Sequence, residues 1–263
     1  MRLTMLGTQG WIPTHRRETT CIAVEDGDRL LIFDAGTGLG RLAEPPASAL
    51  LQRAKEFHLF LTHYHLDHVC GLAYLPALFA DRTLHIHAAE ASVNGVDIEK
   101  GIGELIRHPY NPGSLDLPGL TLDSLREGVN SVAGHEVRMR AQCHPDTTVA
   151  YRIDDAFVLA TDTVQDPATA QFAKGVRLLL HETWIDGAEE HMPGKEEFVA
   201  RAYKAHSSAR QAARIADDAG VGELFLIHLN PLLDEAYYQQ QQASAREIFA
   251  GASVVPDLYW REL

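Results

Sequence analysis

The stretch Leu61-Thr62-His63-Tyr64-His65-Leu66-Asp67-His68-Val69-Cys70-Gly71 constrains this chain more than any other. Three histidines and one aspartate fall within six residues, directly after the apolar run Phe57 to Leu61. A strand ending in a short loop puts all four groups at one strand tip, and His63 and His65, two apart, share a face while strand geometry persists. Asp67 and His68 then stand where the next helix begins. Imidazoles with a carboxylate among them suit zinc, iron, manganese or copper in a hydrolytic or redox role. A polar loop that merely happens to hold histidines is a poor account of this density.

The 263 residues suffice for one large core, and a single domain over 1–263 is expected. No apolar run approaches the ~18 residues of a membrane span, and the opening MRLTMLGTQG lacks a secretory apolar core. A cytoplasmic protein without a membrane partner is the expectation. Cys21, Cys70 and Cys143 have no paired spacing and suggest reduced thiols. Cys70 and Cys143 flank candidate ligands, yet each reads as a small core residue. The formal net charge of −13 counts against a broad grip on a nucleic-acid backbone, which calls for a basic surface. A small anionic substrate at a metal centre remains compatible.

Along the chain, Arg2 to Leu6, Thr19 to Val24 and Arg29 to Phe33 read as strands, the last two joined through the hairpin signal Glu25-Asp26-Gly27-Asp28. Asp34-Ala35-Gly36-Thr37-Gly38 lacks the lysine and spacing of a phosphate loop and reads as a turn near the site. Ala47 to Glu56 is expected to be helical, and Val69 to Phe79 a buried helix kinked or ended by Pro76. Thr83 to His87 is a strand; His85 and His87 repeat the two-apart spacing, but no acid and third histidine follow, so a half-exposed strand is the reading. A helix at Ile98 to Arg107 leads into the turn-rich segment His108 to Gly113, a candidate cleft rim. Strands follow at Leu120 to Leu125, Glu136 to Gln142, Thr148 to Ile153 and Phe157 to Thr161. Then helices Pro167 to Lys174, Lys195 to Tyr203, Ser208 to Ala219 and Pro231 to Phe249 alternate with strands Val176 to Leu180 and Glu223 to Ile227.

Further candidate groups stand just after strands: Cys143-His144-Pro145, Thr161-Asp162-Thr163, His181-Glu182-Thr183 and Ile227-His228-Leu229-Asn230. Ligands at successive strand ends converge on one sheet edge. LTHYHLDHVCGL resembles the HxHxDH signature of the metallo-β-lactamase superfamily. LTMLGTQGWIPT, DAGTG, CHPDTTVAYRI, LATDT, LLLHETW, AHSSARQAARIADDAGV and LFLIHLNP resemble, in order, its ribonuclease Z-like branch of tRNA 3′ endonucleases and phosphodiesterases, and together cover most of residues 1 to 231.

The resemblance implies an α/β (α+β) fold, a four-layer αββα sandwich with metals at the edge between its sheets. It implies two divalent metal ions, usually zinc, with manganese or iron compatible. His63, His65 and His144 would hold one, Asp67, His68 and His228 the other, and Asp162 would bridge them. Two ions about 3.5–4 Å apart activate a bridging water and clamp the oxygens of an in-line displacement. Asp67 would also orient that water. His206 stands where the branch places a catalytic histidine, with Glu182 as the carboxylate that fixes its tautomer. Without the resemblance, His206 is a histidine ahead of a helix N-cap at Ser207 or Ser208. His181 reads as an orienting or packing residue.

Ribonuclease Z proper carries a long tRNA-gripping arm between the positions of His144 and Asp162. Here they are 18 apart, enough for one hairpin. The expected function is therefore a phosphodiesterase acting on a small or exposed phosphodiester, such as a nucleotide-derived ester, with tRNA 3′ processing as the alternative. Other branches hydrolyse lactones, thioesters, sulfate esters or β-lactams without the HETW and AHSSA pair. A non-catalytic role, as in cofactor-biosynthesis relatives, sits badly with a complete ligand set. No flavodoxin-like domain supports a redox di-iron flavoprotein. Homodimers are common in the family, so a homodimer is compatible.

Overall fold

Short apolar runs broken by glycine and acidic turns give strands whose ends, more than their middles, carry the polar groups. The computed structural model describes residues 1–111, 117–185 and 196–263. The chain divides into two compact units, Met1–Glu127 with Pro256–Leu263, and Gly128–Val255. Strands of the first are β1 (Arg2–Gly7), β2 (Cys21–Asp26), β3 (Arg29–Phe33), β4 (Glu56–Phe60), β5 (Thr83–Ala89) and β6 (Leu120–Leu125). The second holds β7 (Gly128–Val132), β8 (His135–Ala141), β9 (Val149–Ile153), β10 (Phe157–Ala160), β11 (Leu178–Glu182), β12 (Glu223–Ile227) and β13 (Ala252–Val254), after which the chain returns to the first as β14 (Trp260–Glu262). Helices α1 (Ser48–Arg53), α2 (Leu66–Val69), α3 (Leu75–Phe79), α4 (Ala91–Asn94) and α5 (Ile98–Leu105) belong to the first unit. Helices α6 (Pro167–Phe172), α7 (Glu196–Ala205), α8 (Ala209–Ala219) and α9 (Glu235–Arg246) belong to the second.

Among the described residues each unit has one seven-stranded sheet, ordered β14-β1-β2-β3-β4-β5-β6 in the first and β13-β12-β11-β10-β9-β8-β7 in the second. In the first, β3 to β6 run parallel, an arrangement that needs both faces buried. Phe57, Leu59, Leu84 and Ile86 pack with Leu50, Leu72, Phe79 and Ile102 from the helical segments on one face. Phe33 pairs with Phe60, so the loops after β3 and β4 leave the same edge side by side. The last strand closes the far edge: β14 pairs antiparallel with β1. Just before it, the Asp257 carboxylate accepts hydrogen bonds from Thr8 Oγ1 at 2.8 Å, the Glu18 amide at 2.7 Å and Arg41 at 2.9 Å.

In the second unit β9 and β10 are the single hairpin between His144 and Asp162. From β10 to β13 the strands are parallel, with Ala160 beside His181 and Glu182 beside Ile227, which brings successive strand ends to one edge. Helix α8 lies on this sheet through Ala209, Ala212, Ala213 and Ala216, small side chains at helical spacing that allow close approach. A capping box starts it: Ser208 Oγ accepts the Gln211 amide, and Gln211 Oε1 accepts the Ser208 amide.

The structure corrects several expected elements. Val69 to Phe79 is not one helix: a 3-10 turn over Cys70–Tyr74 precedes α3. Pro76 stands in the first turn of α3, where its missing N–H costs nothing, so it starts that helix rather than ending one. Glu56 belongs to β4, not to the preceding helix. The expected helix Pro231 to Phe249 shrinks to α9 because the Asp234 side chain caps it, accepting the Tyr237 amide at 2.9 Å. Strands β7, β13 and β14 were not expected. Pro112 and Gly113 of the expected rim, and Lys195 of the expected helix, lie outside the described residues. Among the described residues no helix is long and apolar enough to cross a membrane.

Candidate metal centre

In the first unit the donors follow β4. His63 is buried, His65 is exposed and caps α2, Asp67 lies in the first turn of α2, and His68 is buried. The His63 ring centroid lies 4.5 Å from that of His65 and 4.3 Å from that of His68. One fully buried carboxylate, Asp34 at the end of β3, orients two of these rings. His68 Nδ1–H donates to Asp34 Oδ2 at 2.8 Å. The Thr62 hydroxyl donates to Asp34 Oδ2 at 2.9 Å and therefore accepts from His63 Nδ1–H, 3.0 Å away. Both rings then present Nε2 as a lone pair, the usual arrangement behind metal-ligating histidine. Asp67 Oδ2 accepts the Trp11 amide at 2.7 Å and lies 3.4 Å from His68 Nε2.

Backbone contact locks this loop to its neighbour. The Ala35 amide donates to the His68 carbonyl and the Gly71 amide to the Ala35 carbonyl, both at 2.7 Å. A Cβ on Gly71 would lie 2.4 Å from the Gly36 carbonyl oxygen, and one on Gly36 would lie 2.3 Å from that of Asp67. Gly71→Ala forces the two loops apart; as with other overpacked sites, a loss of about 1–3 kcal/mol in unfolding free energy is expected. Urea denaturation reads it, and wild-type stability in the variant would contradict this account of the loop contact.

The second unit gathers His144, Asp162, Glu182, His206 and His228. The candidate donor atoms of His144, Asp162 and His206 lie within 4.8 Å of one another, as do those of Glu182, His206 and His228. His144 Nδ1 lies 2.7 Å from the Asp146 carbonyl and 3.2 Å from the Asp146 amide; the shorter contact favours an Nδ1–H donated to the carbonyl, with Nε2 as the ligating atom. Burial pushes His144 below the ordinary imidazole range, against the pull of Asp162, and favours the neutral form that a metal needs. Asp162 is buried; Thr161 Oγ1 donates to its Oδ2 at 2.7 Å, and its Oδ1 lies 3.5 Å from His228 Nε2. Asp34, Asp162 and His228 all have positive φ, at 58°, 51° and 51°, so strand-end strain clusters at these donors and their orienter.

Glu182 is fully buried at the end of β11. One oxygen accepts the Thr163 amide and the other accepts from His206 Nδ1–H at 2.9 Å. Burial raises this carboxyl, but His206 and His228 beside it outweigh that, and it sits below the usual carboxylate range. The Trp184 ring packs 5.2 Å from that of His206 and 5.6 Å from that of His228. His181 is buried, with Nδ1 on the Glu182 carbonyl at 3.0 Å. Cys143 is exposed and Cys70 half-buried, so neither is the small core residue that was expected.

Neutral imidazoles with one nitrogen held, together with carboxylate oxygens, are a nitrogen and oxygen donor set suited to zinc, manganese or iron, so the residues of both units fit such an ion. Sequence reasoning placed Asp34 only in a turn near the site. The signal was there, an acid directly after a strand beside the metal loop, but nothing in one sequence shows which ring it holds.

The sequence model of the metallo-β-lactamase superfamily matches residues 16–215. A curated relative, ribonuclease Z of Thermoplasma volcanium, is 25% identical, with 94% of this chain and 95% of the relative covered. Among solved structures, the metallo-β-lactamase fold protein YhfI from Bacillus subtilis gives a TM-score of 0.73 at 20% identity, covering 99% of each chain. The short form of human tRNase Z gives 0.72 at 16% identity, covering 100% of this chain and 99% of the other. A diphosphatase of the PhnP family gives 0.70 at 16% identity, covering 100% and 97%. These likenesses carry the expected αββα fold class. The relatives named ribonuclease Z support a likeness to the ribonuclease Z-like branch, and the chain belongs to the metallo-β-lactamase superfamily of hydrolases.

Proposed function

We propose that this chain is a dinuclear metal-dependent phosphodiesterase for a small or exposed, nucleotide-derived phosphodiester, its two units working as one catalytic domain. His63, His65 and His144 would hold one divalent cation, Asp67, His68 and His228 the other, and Asp162 both. The observation that carries this reading is the preset tautomer: His63, His68 and His144 each have Nδ1 engaged and Nε2 left to ligate. Zinc, with manganese or iron as alternatives, would supply a water of lowered pKa and offset charge on the phosphoryl oxygens.

The chain's own groups do the rest. Asp67, with Oδ2 fixed by the Trp11 amide, orients the attacking water through its other oxygen. His206 gives Nδ1–H to Glu182, so a proton carried on its Nε2 can pass to the leaving ester oxygen. Glu182 stays in place because its second oxygen holds the Thr163 amide. Bis(p-nitrophenyl) phosphate tests the reading: turnover is expected with zinc- or manganese-loaded protein and is lost on chelation. No turnover by protein with metal confirmed bound would overturn it.

Ribonuclease Z as a curated relative favours a second reading, cleavage 3′ of the discriminator base in precursor tRNA. Three features count against it. Only the β9–β10 hairpin separates His144 from Asp162, and the net charge is −13. The alignment to the Thermoplasma volcanium protein runs over 304 positions, against 263 residues here, so this chain lacks segments that the relative has. A precursor-tRNA cleavage assay separates the two.

A further inference from the structure

His85 and His87 read as a half-exposed strand because the sequence around them offers no acid and no third histidine. The neighbouring strand supplies both. In the parallel pairing of β4 with β5, His58 stands beside His85 and Phe60 beside His87, so the imidazoles and Glu56 share one face of the first unit's sheet. The rings are stacked, with centroids 4.8 Å apart for His58 and His85 and 5.3 Å for His58 and His87. The cluster sits toward the N-terminal ends of the strands; His63 lies five residues beyond His58, up to roughly 16 Å at the rise of a strand.

Polar contacts favour one state of each ring. The Thr121 hydroxyl is within hydrogen-bond distance of both Asp123 Oδ2, at 3.2 Å, and His85 Nδ1, at 2.7 Å, so by donating to the carboxylate it can accept from His85 Nδ1–H. His85 Nε2 is then a bare lone pair, 3.9 Å from Glu56 Oε1. Asp123 Oδ2 also lies 3.6 Å from His87 Nδ1, too far for a hydrogen bond but near enough for its charge to favour a proton on that nitrogen. His87 Nε2 is left to accept from His58 Nδ1–H at 3.0 Å. His58 Nε2 is buried and stands 3.2 Å from Glu56 Oε1. The candidate donor atoms of Glu56, His58 and His85 lie within 4.8 Å of one another, and with both Nδ1 atoms protonated two lone pairs face the Glu56 carboxylate, an arrangement that a cation among the three atoms relieves.

We propose that Glu56 Oε1, His58 Nε2 and His85 Nε2 form a separate site for one divalent transition cation, zinc first, with a fourth position open to water or an anion. The donor set is two imidazoles and a carboxylate, which zinc accepts, and bonds of about 2.0–2.2 Å in a tetrahedron put donors roughly 3.3 Å apart. The 3.2 Å separation already matches, and His85 closes the remainder by a small ring movement. Thr121, His87 and Asp123 play the orienting part that Thr62 and Asp34 play at the metal loop. Arg29 holds the other Glu56 oxygen at 3.1 Å and keeps the carboxylate from swinging out.

The test is a metal count on the full chain equilibrated with buffered zinc, comparing wild type with His85→Ala, Glu56→Gln and Asp162→Ala. His85→Ala and Glu56→Gln are each expected to lose one zinc equivalent, with circular-dichroism spectra and phosphodiesterase rate matching wild type within about twofold. Asp162→Ala keeps that equivalent. Cobalt titration should show one set of d–d bands present in wild type and absent from His85→Ala. Equal zinc content and equal cobalt spectra in wild type, His85→Ala and Glu56→Gln would overturn the proposal and leave a proton-only cluster. Glu56→Gln retains the shape of the side chain, so the count does not hang on one variant's folding. The result is independent of the catalytic reading, since inactivity toward phosphodiesters would not alter it.

Discussion

Asp162→Ala is expected to cost bound metal and to lower kcat/KM for bis(p-nitrophenyl) phosphate on the order of 10³-fold. The size follows from several kcal/mol of charge stabilisation by the ions this carboxylate would share, at about 1.36 kcal/mol per tenfold. Alanine also adds a backbone penalty, because φ is 51° there and a side chain without a polar tip tolerates that region poorly. Asp162→Asn separates the two effects. Asparagine accepts positive φ and retains a partner for Thr161 Oγ1, so it should keep the fold while losing the charge. Metal analysis and steady-state kinetics on both variants check this. An asparagine variant with full metal content and full activity would remove Asp162 from the centre.

His206→Asn should show a different pattern. Its amide can replace the Nδ1–H donor to Glu182, so the buried carboxylate is not stranded, but it offers no proton at the Nε2 position. Loss of a general acid costs about 10²–10⁴-fold where the leaving group needs a proton. The fall in kcat is therefore expected to be large on an alkoxide-leaving ester such as a dinucleotide. It should be slight on bis(p-nitrophenyl) phosphate, whose phenolate leaves unaided, and metal content should not change. Equal losses on both substrates would mean that His206 positions rather than protonates.

Much of the candidate site was legible because its donors stand in short motifs directly after apolar strands, and strand ends are what a parallel sheet brings together. The elements that escaped were those whose boundaries depend on contact. The apolar run from Val69 to Phe79 has helical composition throughout. Gly71 nevertheless lies against the Gly36 carbonyl, and the chain takes a 3-10 path past that point. Strands β13 and β14 are three residues each and exist through pairing with β12 and β1. His85 and His87 looked like an incomplete site because their partners, His58 and Glu56, are neighbours across a ladder rather than along the chain.

The return of the chain through Asp257 and β14 has a consequence for biosynthesis. Residues 128 to 255 must leave the ribosome before the strand that completes the edge at β1 exists. At about 5–20 residues per second, that delay is on the order of ten seconds. Throughout it, the N-terminal half waits with β1 uncovered and with Thr8, Glu18 and Arg41 lacking the carboxylate that later ties them together.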